Sequence, residues 1–193
     1  GDVEIETTPS SKERVNKYFG TDGFRGEANL TLTSMQAYKV GRFLGWYYSS
    51  SLSGCTKTGY RPRIVVGKDT RRSSYMLEYS IVAGITASGA DAYMLHVTTT
   101  PSVSYVTRQD GFDCGIMITA SHNPPEYNGY KLYNEHGGQL VPSEIEPILQ
   151  EMSRIENELS IPVTPISDAG ELVQTVGAEL DEIYHSKVLS IRF

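Results

Sequence analysis

The sequence lacks long apolar runs. No stretch approaches the roughly 20 consecutive apolar residues that a membrane helix needs, and residues 1–17 are polar and charged, without the apolar centre of a secretory signal. We therefore expect a cytoplasmic protein with no membrane partner. Hydrophobic residues still make up 39% of the 193 positions and aromatic residues 10%. This is enough to build a core, so extensive disorder is not expected.

Cysteine is scarce as well. Cys55 and Cys114 are the two cysteines of the sequence, and they lie far apart. Their spacing matches neither a metal site nor a disulfide framework. The pattern favours two reduced thiols, as is usual for a cytosolic protein.

An excess of positive charge is also missing. The formal net charge is −6, and it comes from residues 141–193, which carry 3 basic and 10 acidic side chains. Residues 1–140 carry 14 basic and 13 acidic side chains. A nucleic-acid-binding protein shows a basic excess, so nucleic acid is not an expected partner. The balanced first part can still hold a local cationic pocket.

Three short apolar runs predict buried strands, because each is bounded by glycine or by polar turns. They are Arg63–Gly67, Asp91–Leu95 and Cys114–Ile118. Stretches of helical periodicity precede and separate them. One follows a cap at Thr33, a second follows a cap at Ser73 or Ser74, and a third has Pro101 in its first turn. This alternation predicts an α/β fold, a three-layer α/β/α domain with a mostly parallel, mixed sheet.

A polar loop, Thr119–Pro125, follows the third predicted strand, at the sheet edge where open α/β domains bind ligands. Two prolines at its end disfavour helix, which leaves Ser121 exposed at a sharp turn as a nucleophile or phosphoryl carrier. His122 can donate to a phosphate or move a proton near neutral pH. Lys131 follows on a short strand-like run that could return it to the same place. On residue types alone, an ordinary polar turn is an equally good interpretation.

A second cluster, Gly20–Gly26, places three glycines around Arg25. Glycines let backbone N–H groups approach an anion, and an arginine can bind phosphate oxygens with two donors. By itself a glycine-rich turn is weak evidence. A serine hydrolase is a further alternative, but the sequence contains no Gly-x-Ser-x-Gly elbow and adjacent Ser and His rarely form a catalytic pair.

Four segments occur together in a specific order and spacing: Tyr18–Gly26, Gly67–Arg71, Thr99–Pro101 and Thr119–Pro124. In this they resemble the α-D-phosphohexomutase superfamily, which includes phosphoglucosamine mutase and the phosphoglucomutase/phosphomannomutases. The resemblance covers about residues 18–158. Its most specific part is the Ser-His-Asn-Pro motif followed by Asn-Gly-Tyr-Lys.

The resemblance implies that Ser121 is a phosphoserine that exchanges its phosphoryl group with a hexose phosphate through a bisphosphate intermediate. Such transfer needs alignment and charge neutralisation more than covalent help. It implies Mg²⁺ bound at Ser121 and a hexose bisphosphate as activator. Asn123 is expected to shape the loop and to contribute to the phosphate-binding set.

The resemblance also implies roles for other side chains. Arg25 resembles the arginine that contacts phosphate or phosphoserine and is placed among the catalytic residues. His122 and Lys131 match positions proposed for proton transfer or phosphate contact, with the division between them open. Arg71 either reaches the site or forms a structural pair with Asp69.

Different segments of the sequence resemble different subfamilies. Segments 18–26 and 39–42 resemble phosphoglucosamine mutases, whereas segments 125–131, 137–140 and 176–184 resemble phosphoglucomutase/phosphomannomutases. We favour the second group. Phosphoglucosamine mutase is the alternative, and a non-catalytic module that binds phosphosugars is another.

The resemblance finally predicts the domain organisation. Residues 1–17 are expected to be a flexible segment, 18–158 domain I with the phosphoserine loop, 159–166 a linker and 167–193 a truncated start of domain II. Members of the family have four domains, and the motifs of domains II to IV do not occur in this sequence. The expected partners are therefore a hexose phosphate and the missing domains II–IV, and the chain alone is expected to have negligible mutase activity.

Overall fold

The computed structural model describes residues 24–28, 32–120, 123–141, 143–146, 150 and 168–173, with the backbone alone for 24–27. Its strands form one sheet in the order β1-β5-β4-β2-β3-β6. They are β1 Phe24–Glu27, β2 Arg63–Lys68, β3 Asp91–Val97, β4 Cys114–Ile118, β5 Tyr127–Tyr133 and β6 Leu172–Val173. The helices are α1 Ser34–Tyr47, α2 Arg72–Ala87 and α3 Thr100–Gln109, with a 3₁₀ turn at Ser51–Ser53. Residues 143–146 are also helical.

The sheet is mixed but mostly parallel, as the sequence predicted. β2 pairs in parallel with β3 and with β4, and β3 pairs in parallel with β6. β5 is antiparallel to both of its neighbours, β4 and β1. Among the described strands, β5 alone therefore runs against the others.

The predicted strands form, and two of them are longer than expected. β4 covers the predicted residues, β3 continues by two residues to Val97, and β2 continues by one residue to Lys68. Lys68 ended the apolar pattern in the sequence. Its side chain is nevertheless only 2% exposed, because it forms an ion pair with the buried Glu78.

The predicted start of α1 is confirmed. The Thr33 side chain accepts a hydrogen bond from the Gln36 N–H at 3.2 Å, which satisfies one of the unpaired donors of the first turn. The predicted helix with Pro101 in its first turn is confirmed as α3, and the Thr99 side chain caps it by accepting from Ser102 N–H.

The predicted cap of α2 at Ser73 or Ser74 is wrong. α2 begins at Arg72, Arg71 is its N-cap residue, and this position makes no capping hydrogen bond through its side chain. Ser74 is buried inside the helix and donates its hydroxyl to Asp69 instead. The motif was interpreted as a cap because a serine just before an apolar run usually is one.

The sheet lies between two helical layers. One buried cluster joins the sheet to α1 and α2, and includes Phe43, Ile64 and Ile81. A second, smaller cluster joins the opposite face to α3, and includes Val65 and Val103. The predicted three-layer α/β/α domain is therefore confirmed. None of the helices that the structure describes is both long and apolar enough to cross a membrane.

The predicted domain boundaries lie largely outside the described residues. This applies to segments 1–17 and 159–166 and to most of 167–193. In the part that is described, Gly170 N–H donates to Thr86 O at 2.8 Å and β6 pairs with β3 at the sheet edge. The three boundaries between the four predicted segments therefore stay predictions.

Candidate functional site

The candidate site lies at the carboxyl-terminal edge of the parallel strands. Lys68 and Ile118, the last residues of β2 and β4, are partners in register. The next residues, Asp69 and Thr119, therefore leave the sheet side by side, and Asp69 N–H donates to Ile118 O at 3.0 Å. The Ser-His-Asn-Pro motif begins two residues beyond Thr119, so its loop leaves the sheet at the edge that the sequence predicted.

Ser121 and His122 lie outside the described residues. Their neighbours are described on both sides. Asn123 N–H donates to Ala120 O at 3.0 Å, so the two residues that flank the Ser-His pair are joined by a hydrogen bond. Asn123 is half-buried, whereas Ala120 is fully buried.

The backbone of Arg25 lies near the start of this loop. Arg25 pairs with Gly129 across β1 and β5, and Gly129 O in turn accepts from Thr119 N–H at 2.9 Å. Arg25 on β1, Gly129 on β5 and Thr119, the residue after β4, thus form one row. Lys131 lies two residues along β5 from this row, opposite Met117, and its side chain is half-buried.

The Asp69 carboxylate is the centre of a hydrogen-bond network at this edge. Its Oδ1 accepts from Arg71 N–H at 3.0 Å and from the Ser74 hydroxyl at 2.9 Å. Its Oδ2 accepts from the Thr119 hydroxyl at 2.8 Å and from Arg71 Nε at 3.1 Å. Arg71 is therefore the structural pair of Asp69, one of the two roles that the sequence left open.

The guanidinium of Arg71 also contacts the far end of the loop. Its terminal nitrogen donates to the carbonyl of Asn123 at 2.9 Å, of Pro124 at 2.7 Å and of Tyr127 at 3.3 Å. These carbonyls lie within the five residues that follow the Ser-His pair. The sequence motif contained Asp69 and Arg71, but it did not predict these contacts.

Asn128 is a functional candidate that the sequence reasoning missed. The side chain is fully buried and donates from Nδ2 to the hydroxyls of Ser73 at 2.9 Å and Ser74 at 3.0 Å. Its Oδ1 accepts from Gly129 N–H at 2.9 Å. Asn128 therefore connects the first turn of α2 to β5, and its place in the Asn-Gly-Tyr-Lys segment was the signal that could have identified it.

The residues of the candidate site that the structure describes do not form a metal-binding site. Among the residues that the structure describes, no three His, Cys, Asp or Glu side chains come together in a way that could hold a metal ion. Asp69, whose carboxylate accepts the hydroxyl of Thr119 at the start of the loop, already accepts four hydrogen bonds. The described residues therefore do not fit a complete Mg²⁺ site, and no step below depends on one.

The opposite edge of the sheet carries a cavity of about 390 Å³. Tyr60 and Asp113 line it, and the tyrosine hydroxyl lies 2.9 and 2.8 Å from the two carboxylate oxygens. Burial, together with the hydrogen bond to Asp113 and the negative charge there, raises the pKa of Tyr60 to about 12. Because both residues precede strands, this cavity lies away from the Ser-His-Asn-Pro loop.

Fold and loop together define a class of protein: an α/β/α domain with a serine-bearing loop at the carboxyl edge of its sheet. Residues 16–159 match the model of the phosphoglucomutase/phosphomannomutase α/β/α domain I. The chain belongs to this family, within the α-D-phosphohexomutase superfamily.

Relatives agree with this assignment, and a solved structure shares the fold. A phosphoglucosamine mutase of Lachnoclostridium phytofermentans is 56% identical over 84% of this chain, and one of Lachnospira eligens is 64% identical over 70%. The matched regions are 33% and 30% of those proteins, so the chain spans about a third of the length of these relatives. A phosphoglucomutase/phosphomannomutase family protein from Burkholderia thailandensis shares the fold, with a TM-score of 0.63 and 23% identity over 82% of this chain and 32% of that one.

Proposed function

We propose that this chain is the first domain of a phosphoglucosamine mutase, an isomerase that interconverts the 6-phosphate and the 1-phosphate of glucosamine. The observation that carries the proposal is the name shared by the two relatives, at 56% and 64% identity. The sequence motifs favour a phosphoglucomutase/phosphomannomutase, with the glucosamine enzyme as the alternative. The relatives support the alternative better than the main interpretation.

Ser121 is the proposed phosphoryl carrier. In the first half-reaction the phosphorus–oxygen bond to the serine breaks and a bond to the free sugar hydroxyl forms, which gives the bisphosphate. In the second half-reaction the other phosphoryl group of the bisphosphate returns to the serine. In each half-reaction the attacking hydroxyl loses a proton and the leaving oxygen gains one, and His122 or Lys131 is the proposed group that transfers it.

Charge neutralisation is the second demand of the reaction. Arg25 is proposed to bind phosphate oxygens, because its backbone lies in the same row as Thr119, at the start of the loop. Mg²⁺ is a proposed partner of the Ser121 phosphate, with its other ligands contributed by a loop of domain II that does not occur in this sequence. A cytoplasmic location and a hexose phosphate substrate belong to the same proposal.

The test uses the chain joined to the remaining two thirds of the Lachnoclostridium relative, here called the extended protein. We expect it to convert glucosamine 6-phosphate with a kcat/KM well above those for glucose 6-phosphate and mannose 6-phosphate. Ser121→Ala should abolish turnover, and Ser51→Ala, at an exposed serine of the 3₁₀ turn, should not change it. The chain alone should show negligible turnover.

Two results would contradict the proposal. A preference for glucose or mannose phosphate would return the assignment to the phosphoglucomutase/phosphomannomutase group. Binding of hexose phosphates without phosphorylation of Ser121, measured by mass spectrometry after incubation with a hexose bisphosphate, would favour the non-catalytic binding module.

A further inference from the structure

The loop that contains Ser121 is hydrogen-bonded on both sides of the Ser-His pair to one short segment, the junction between β2 and α2. We propose that Asp69 and Arg71 of this junction are positioning residues, which hold the loop backbone in the arrangement that phosphoryl transfer at Ser121 requires. The inference rests on the proposed function and adds two residues to it. Neither residue is proposed to touch the reacting atoms.

The exit of the loop is held by Arg71. Its guanidinium donates to three carbonyls within five residues of chain, those of Asn123, Pro124 and Tyr127. The side chain is only 13% exposed, and its Nε is bound to Asp69. Because a guanidinium is planar and its donors point in fixed directions, the bond at Nε orients the donors that reach the carbonyls.

The entrance of the loop is held by Asp69. The same carboxylate oxygen that binds Arg71 Nε accepts the hydroxyl of Thr119, at 2.8 Å. The ion pair of Asp69 and Arg71 therefore bonds to the loop both before and after the Ser-His pair. A displacement of either partner would shift the loop backbone at both ends.

The junction itself rests on rigid elements. Ser74, a buried residue in the first turn of α2, donates to Asp69 and accepts from the buried Asn128. Most surface loops bond to water and vary in position. Here the loop is hydrogen-bonded to the junction between the end of β2 and the start of α2. This contact fixes the position of the loop, as a precisely aligned reaction requires. Displacements of about 1 Å can cost on the order of 100-fold in rate.

The experiment compares Arg71→Met with the matched control Arg72→Met, which removes the adjacent but exposed arginine. In the extended protein we expect Arg71→Met to lower kcat roughly 10- to 100-fold with little change in KM. Arg71→Lys should recover only part of the loss, since an ammonium group cannot reproduce the directed donors. Arg72→Met should behave as the unsubstituted protein does.

A second measurement separates positioning from general stability. Hydrogen exchange of the chain should show faster exchange in the peptide that spans residues 119–127 of Arg71→Met, with unchanged exchange in β2, β3 and α3. Asp69→Asn should have the same local effect and should also loosen the entrance at Thr119.

Failure of the proposed function and failure of this inference give different results. If the unsubstituted extended protein is inactive, the proposed function fails, and the inference fails with it. If it is active and Arg71→Met matches Arg72→Met in kcat and in exchange, the inference alone is overturned. Loss of kcat together with faster exchange throughout the fold would show that Arg71 stabilises the whole fold. That result would also overturn the inference.

Discussion

The Nζ atom of Lys68 lies 2.6 Å from Oε1 of Glu78, and the two side chains are 2% and 0% exposed. The ammonium group also lies 3.9 Å from the ring centre of Tyr75, a cation–π contact. Within the described part of the chain, Oε2 of Glu78 has no hydrogen-bond partner. This buried pair connects the end of β2 to α2, directly before the junction that holds the loop.

Breaking the pair on one side should destabilise the fold strongly. Glu78→Leu leaves the Lys68 charge buried without its partner, and we expect the free energy of unfolding to fall by about 3–5 kcal/mol. Lys68→Met combined with Glu78→Leu should recover most of this loss, because no charge is then buried. Urea denaturation measures the free energy of unfolding of the single and the double variant. The ion pair of the exposed Arg61 with the half-buried Asp91, at 3.3 Å, is the control, and Arg61→Met should cost about 1 kcal/mol or less. A double variant no more stable than Glu78→Leu would contradict the prediction.

Gly84→Ala should destabilise the protein although it improves helix propensity. A Cβ atom at Gly84 would lie 2.2 Å from Tyr38 O and 2.6 Å from Arg42 N, because α1 and α2 pack backbone against backbone there. Propensity alone predicts a gain of about 1 kcal/mol, whereas forced separation of the helices costs about 1–3 kcal/mol. Thermal denaturation shows whether the net change in stability is a gain or a loss. Ala83→Ser, at the exposed neighbouring position, should change stability by about 0.5 kcal/mol or less.

The stability contributed by Tyr60 should disappear at high pH. The pKa of Tyr60 is raised to about 12 by burial and by Asp113, while an unfolded tyrosine has a pKa of about 10. The contribution is therefore complete below about pH 10 and decreases as the pH rises toward 12, since the unfolded state loses its proton first. The measurement is the difference in unfolding free energy between the unsubstituted protein and Tyr60→Phe as a function of pH. A difference that stays constant above pH 10 would refute the assignment.

The two cysteines should differ in reactivity. Both are free thiols, and Cys114 is buried, whereas Cys55 is half-buried. Burial raises the pKa of Cys114 to about 12, so its reactive thiolate is negligible at neutral pH. Iodoacetamide near pH 8 should label Cys55 alone in the folded chain and both residues in denaturant, as peptide mass spectrometry can show. Labelling of Cys114 at the rate of Cys55 in the folded chain would contradict the buried position.

Local patterns predicted the elements well because they depend on near neighbours. The alternation of apolar runs with helical periodicity identified β2, β3 and β4, and a threonine before an apolar face identified the start of α1. The same local logic failed at Ser73 and Ser74. Their hydroxyls bond to Asn128 on β5, and that of Ser74 also donates to Asp69 in the junction before the helix. This logic also ended β2 one residue too early, at Gly67, because the partner that makes the burial of Lys68 possible is ten residues away on α2.

What the sequence determined by itself is the α/β/α class, the superfamily and the loop in which the proposed chemistry occurs, because motif residues and their spacing are properties of the chain. The tertiary structure decided which side chains hold that loop. Asp69 and Arg71 meet Thr119 and Pro124 about 50 residues further along the chain, because β2 and β4 are neighbours in the sheet and end at the same edge. No local pattern contains that contact, since strand order arises only when the helices pack on both faces and the strands pair.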